Sequence, residues 1–197
     1  ALKCMNNIRE YEQLKEVWVA YTQRSQAYTR DEKQTAEYKT AFSHVLLSDE
    51  KMALCAKSKN LFHYVRTGYF LLLNEADNAY KEAISHYQFF LQYDNFRTYA
   101  QRDYILFLAN FLNRMQNVDN YELLDEVKSN LLAEFERCKD KDLVNAKKLN
   151  LIYAEKNKFS KSGDYAKSIE LIPEMLQALS YYKKRKDIEL TVIYDIA

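Results

Sequence analysis

The stretch Ser162-Gly163-Asp164-Tyr165-Ala166-Lys167-Ser168-Ile169-Glu170-Leu171-Ile172 decides how this chain reads. A polar break leads to a tyrosine, with side chains suited to packing three and seven residues further on, so a turn here opens a helix with one packing stripe. The same order recurs at three other places. These are Asn7-Ile8-Arg9-Glu10-Tyr11 with Leu14 and Trp18, Ala76-Asp77-Asn78-Ala79-Tyr80 with Ala83 and Tyr87, and Val118-Asp119-Asn120-Tyr121 with Leu124. The four tyrosines are 69, 41 and 44 residues apart. The last two intervals match a helical-hairpin repeat of ~40 residues. The first is longer by about 28, the room that an extra helix from Thr29 to Leu47 takes.

Between these breaks the apolar positions keep a helical period. Leu14, Val17, Trp18 and Tyr21 form one stripe. Thr29 with Glu32 is a capping box for a helix through Tyr38, Ala41, Phe42 and Val45. Ser48-Asp49-Glu50 supplies a cap and acidic first turn for a long helix carrying Met52, Cys55, Phe62, Val65, Tyr69 and Leu72. Further stripes run through Tyr80 to Leu91, Tyr104 to Met115, Tyr121 to Phe135, Leu149 to Tyr153 and Tyr165 to Leu179, with a last start at Asp187. About nine helices follow, and their short polar connections force antiparallel neighbours. Pro173 is expected to kink its helix.

Composition agrees. Two Gly and one Pro in 197 residues leave little room for hairpin turns, phosphate loops or catalytic elbows, so sandwiches, barrels and nucleotide-binding α/β folds are excluded. The chain reads as all-α. The 29 basic and 28 acidic residues give a net charge of +1, too little to collect nucleic acid or an anionic membrane. No apolar run approaches the ~20 residues of a membrane span, and no secretory signal is expected. Cys4, Cys55 and Cys138 lie 51 and 83 residues apart, which fits neither a disulfide framework nor metal-ligand spacing and points to a reducing, cytoplasmic setting.

The Gly163-Asp164-Tyr165 turn with Ser168 and Ile172 resembles the turn and second helix of a tetratricopeptide repeat. Ala83 and Tyr87 after Tyr80 match the family's small and bulky positions, whereas Leu14, Leu124 and Lys128 depart from them, and the turn glycine stands only in the third full unit. The resemblance implies one domain over 1–197, a right-handed superhelix of antiparallel helix pairs with a concave groove. Its units are 1–28, 49–92, 97–138 and 142–184, with the extra helix 29–47 and an unpaired helix 187–197. Leu190, Ile193, Tyr194 and Ile196 leave an apolar stripe at that end, so the chain is expected to be a piece of a longer repeat protein or to self-associate there.

Counting back from each turn tyrosine gives the groove positions that the resemblance implies. They are Val65, Tyr69 and Leu72 in the first full unit. The second offers Leu106, Ala109, Asn110, Asn113 and Gln116, and the third Asn150, Tyr153, Ala154, Asn157 and Lys161. Asn has both a donor and an acceptor, so Asn110, Asn113, Asn150 and Asn157, with Gln116, Tyr69 and Tyr153, form the expected site for the main chain of an extended peptide. Peptide-binding members of the family use asparagines in this way. The expected function is therefore a non-catalytic scaffold that holds another protein or peptide, with a peptide-sensing segment of a larger regulator as the alternative.

Catalysis finds no foothold in the sequence. His44, His63 and His86 are 19 and 23 residues apart with no carboxylate at ligand spacing, and each reads as a helix-face residue with a satisfied ring. Cys55 shares a stripe with Met52 and Phe62 and reads as a packed thiol. No cofactor or metal is expected. The run Lys183-Lys184-Arg185-Lys186 complements a helix C-terminus.

Overall fold

The computed structural model describes residues 1–27, 32–115 and 121–179. The expected helix start at Thr29, the turn at Val118-Asp119-Asn120, Gln116, the basic run and the helix 187–197 lie outside the described residues. Every regular element among the described residues is helical, as the shortage of glycine and proline predicts. None of these helices is long and apolar enough to cross a membrane. The chain divides into two compact units, Ala1–Tyr99 and Ala100–Ala197.

The first unit contains α1 (Leu2–Ala27), α2 (Glu32–Phe42), two 3-10 turns (Val45–Leu47 and Glu50–Met52), α3 (Ala56–Leu72), α4 (Ala76–Gln92) and α5 (Asp94–Tyr99). The turn expected at Asn7 to Glu10 is instead the interior of one 26-residue helix. Asn7 could compete with the backbone, but its side chain is engaged elsewhere: Nδ2 donates to Met52 O at 3.1 Å and Oδ1 accepts from Leu54 N at 2.9 Å. The long helix expected from Ser48 is also interrupted. Asp49 does cap, but it caps only the second 3-10 turn by accepting from Lys51 N, and α3 begins at Ala56 behind Cys55.

Two helices converge on α3 from sequence-remote positions. Tyr11, Tyr38, Leu47, Phe62, Val65 and Tyr69 form the core of α1, α2, α3 and the first 3-10 turn. Each such large side chain withdrawn from water contributes roughly 1.5–3 kcal/mol. Tyr11 also donates its hydroxyl to Leu46 O at 2.6 Å, and burial, with the charge of Glu10, pushes its pKa up to about 12. Tyr11→Phe is expected to lower stability by about 1–2 kcal/mol, because Leu46 O is then left buried without that donor; urea unfolding with an unchanged m-value checks this.

The turn from α3 to α4 is a Schellman motif. Asn74 takes the left-handed conformation at φ 62°, its N–H donates to Leu71 O at 3.1 Å, and Glu75 N donates to Phe70 O at 2.8 Å. Asparagine stands here where a glycine would ordinarily be favoured. The turn therefore falls at 73–75, ahead of the 76–79 expected, and Ala76 to Ala79 is already the first turn of α4.

The second unit contains α6 (Gln101–Met115), α7 (Tyr121–Arg137), α8 (Lys141–Lys161), α9 (Tyr165–Glu170) and α10 (Ile172–Leu179). Gly163, at φ 78°, ends α8 with the same motif as Asn74: Gly163 N donates to Ser160 O at 3.2 Å and Asp164 N to Phe159 O at 2.9 Å. Asp164 then caps α9 by accepting from Lys167 N. The two turns share a geometry, yet Tyr165 is the first residue of its helix and Tyr80 the fifth of its own. The kink expected at Pro173 is a break at Leu171 between α9 and α10, where the missing proline N–H prevents a continuous ladder. Leu149, Ile152, Met175, Ala178 and Leu179 bury against one another and seat α10 on α8, with Tyr153 and Leu171 packed at the edge.

Candidate functional site

Helix direction in the second unit follows from polar contacts. Gln101, at the start of α6, donates to Glu134 near the end of α7 at 2.9 Å, so these helices are antiparallel. On α8, Lys158 donates to Asp125 at 2.8 Å and Glu155 accepts from Lys128, so α8 is antiparallel to α7. Helices α6 and α8 are consequently parallel, and they touch. Asn150 bridges them by donating Nδ2 to Ala109 O at 3.3 Å.

The least buried stripe of α6 carries Asp103, Leu106, Asn110 and Asn113, at helical spacing on one face. Asn110 is half-buried and Asn113 exposed; on α8, Asn150, Tyr153 and Asn157 are half-buried. Asn113, Tyr153 and Asn157 already have partners within the fold. Arg102 stands at one end of the pair, ion-paired with Asp140 at 2.8 Å. Burial, together with the Arg102 charge, holds the Lys147 ammonium below the usual lysine range. Ala109 and Ala154, also counted toward the groove, are buried between helices.

Tyr69 is placed differently from these asparagines. It is 0% exposed and packs between Tyr21 and Phe42 at ring separations of 6.5 and 5.7 Å, with its hydroxyl buried and lacking a hydrogen-bond partner. Burial, with the nearby Tyr21, pushes its pKa up to about 12. Val65 and Leu72 are buried in the same core. This stripe of α3 meets α1 and α2, and nothing of Tyr69 reaches an open face.

A second polar constellation occupies the α3/α4 interface. His63 Nδ1 donates to Glu82 Oε1 at 2.7 Å, and Arg66 Nε donates to Glu82 Oε2 at 2.8 Å. Arg66 also donates to Leu47 O, and its guanidinium lies 5.2–5.4 Å from the centres of the Phe42, Phe62 and Phe70 rings. The His63 ring stacks on His86 at 5.3 Å, and His86 Nε2 donates to Asn60 Oδ1 at 2.8 Å. Glu50 reaches in from the second 3-10 turn, 3.8 Å from His63 Nε2 and 3.1 Å from Lys59 Nζ. Burial pushes the Glu82 carboxyl up, but the hydrogen bonds and charges of His63 and Arg66 outweigh it and hold the group below the usual range.

Both His63 nitrogens thus face carboxylates, and the network fastens the 45–52 corner to two helices. His44, by contrast, is exposed and its Nδ1 accepts from Leu46 N to cap the first 3-10 turn. Among the described residues no group of three or more His, Cys, Asp and Glu side chains could hold a metal ion.

No family model, curated protein or solved structure matches this chain. Its site is therefore read from its own residues. The buried network was missed in the sequence because Glu82 lies 16 residues from Arg66 and 19 from His63. One signal was present: Glu82 falls on the stripe of Ala79, Ala83 and His86, where a carboxylate needs a partner to be tolerated.

Proposed function

We propose that this chain is a non-catalytic helical-repeat module, tetratricopeptide-like in architecture, that binds an extended segment of another protein along the α6/α8 face. The observation that carries this reading is the asparagine row on two parallel, touching helices. Asn110 and Asn113 stand on the stripe of α6 that its neighbours leave least covered, beside Asn150 and Asn157 of α8. Such amides can pair with both the N–H and C=O groups of an extended main chain. Asn150 serves mainly to set the spacing of the two helices, through Ala109 O. The three free cysteines suit a reducing, cytoplasmic setting.

Selection of peptides from a displayed random library on the immobilised chain tests this. Retained peptides are expected to lose roughly tenfold or more in affinity on Asn110→Ala with Asn113→Ala, about 1.4 kcal/mol, while the helical circular dichroism stays unchanged. A Ser129→Ala control on the exposed side of α7 should bind as the parent does. Equal binding by parent and double variant refutes the assignment of this face.

A further inference from the structure

The sequence separates Cys4 and Cys55 by 51 positions, but the fold sets Cys4 against the residue that precedes Cys55. Cys4 lies in the first turns of α1, and its Sγ is 3.9 Å from the carbonyl oxygen of Leu54, the residue before Cys55. That carbonyl belongs to the peptide bond that joins Leu54 to Cys55, so the Cys4 side chain lies against the backbone entering Cys55. One turn along α1, Asn7 grips Met52 O and Leu54 N, so the two strands of chain that carry the thiols are clamped side by side. Both cysteines are half-buried, whereas Cys138 is buried.

Cys55 is also the N-cap of the 17-residue helix α3. Its sulfur lies 3.4 Å from Ser58 Oγ, and Ser58 Oγ in turn accepts from Cys55 N at 3.0 Å. Amides at a helix start and a nearby hydroxyl stabilise a thiolate, and the thiolate is the reactive form. Burial pushes the Cys55 thiol up, but the Ser58 hydroxyl, the Ser58 and Lys57 amides and the Cys4 thiol outweigh it and hold the group below the usual range.

We propose that Cys4 and Cys55 form a reversible, peroxide-responsive thiol pair whose disulfide ties the start of α1 to the start of α3. The Cys55 thiolate attacks the distal oxygen of a hydroperoxide. The O–O bond breaks, the alkoxide or hydroxide leaves and takes up a proton, and Cys55 becomes the sulfenic acid. The Cys4 sulfur then attacks the Cys55 sulfur, the S–O bond breaks and water departs with the Cys4 proton. Two equivalents of a small thiol reverse the state: the first opens the disulfide to a mixed disulfide, and the second releases the remaining cysteine and leaves as the oxidised small-molecule disulfide. In a reducing compartment the pair is dithiol at rest. Oxidation locks the α1/α3 contact around the core that contains Tyr11 and Phe62.

Hydrogen peroxide treatment of the full chain, followed by alkylation and non-reducing tryptic mapping, tests the pair. The peptides Cys4–Arg9 and Met52–Lys57 are expected to appear joined, with the mass of two hydrogens lost, and Cys138 to remain alkylatable only on unfolding. Oxidised protein should melt at least ~5 °C higher than reduced protein, because the bond closes a long loop in the unfolded chain. Cys4→Ser should leave Cys55 as a sulfenic acid that dimedone captures, and Cys55→Ser, which keeps a capping side chain, should abolish both products. Direct conversion of Cys55 to sulfinic acid in the parent without a joined peptide, a disulfide between two chains, or oxidation of Cys138 at the same rate overturns the proposal.

Discussion

Gly68→Ala is expected to destabilise the first unit by about 3 kcal/mol, lowering its thermal midpoint by roughly 10 °C or more. An alanine at a helix-interior glycine ordinarily stabilises by up to ~1 kcal/mol, so the expected sign is the reverse of the intrinsic propensity. The cause is the close approach of α1 to α3. A β-carbon on Gly68 would stand 2.7 Å from Trp18 Cζ2 and nearer still to Cε2 and Nε1. These atoms belong to the middle of a rigid indole, which is held edge-on against Tyr64 at 5.1 Å. Relief requires the indole to leave its place or the helices to part, and either loses packing around Tyr11 and Tyr69. The measurement is a double-mutant cycle by denaturant unfolding. In a Trp18→Ala background Gly68→Ala should become neutral or mildly stabilising. A destabilisation of the same size in both backgrounds would show that the indole is not the obstacle.

Glu82→Ala is expected to be comparably damaging, about 2–4 kcal/mol, because it removes the acceptor shared by His63 and Arg66 and leaves both donors facing an apolar interface. Arg66 retains Leu47 O and three aromatic faces, which keeps the loss below that of a fully isolated buried charge. The pH dependence has a definite sign. The folded-state pKa of Glu82 lies below its ordinary value of 4.5, so the stability it contributes is fully present above pH 4.5 and is lost as the pH falls through the folded value. Glu82→Gln should lower the thermal midpoint at neutral pH, and its curve should converge on that of the parent at acid pH. Midpoints separated by the same interval at pH 7 and pH 3 would exclude Glu82 as a source of that acid sensitivity.

How much of this was legible in the sequence depends on the range of the interaction. The Gly163 turn was legible because its signal is local, a left-handed residue followed by a capping aspartate. The stripe expected behind it was not: Tyr165, Ile169 and Leu176 are exposed, and Ser168, Met175, Ala178 and Leu179 are the buried positions. The α3/α4 turn was placed about three residues late because Asn74 does the work of glycine there without announcing it. The break expected at Asn7 failed for a different reason. Nothing in residues 7–10 reveals that the 52–54 corner occupies the Asn7 amide. Among the groove candidates, the face of α6 was legible at Asn110 and Asn113, since helical spacing alone puts them opposite the buried Phe111 and Leu112. Tyr69 was not, since its surroundings are set by α1 and α2, which lie far from it in sequence.

Local physics thus determined that this chain is helical. With two glycines and one proline, the backbone has few alternatives to the helix, and the 3.6-residue period of its apolar side chains marks the buried face of α6, where Tyr104, Leu108, Phe111, Leu112 and Met115 are all covered. Which helices meet across such a face is a matter of contacts between residues tens of positions apart, and periodicity is silent about them. Only the tertiary structure decided that Gly68 is a contact surface for Trp18, that Glu82 is the centre of a buried network, and that Cys4 lies against the backbone just ahead of Cys55. In each case the deciding quantity is a distance across the packed helices, which no property of either residue's own segment specifies.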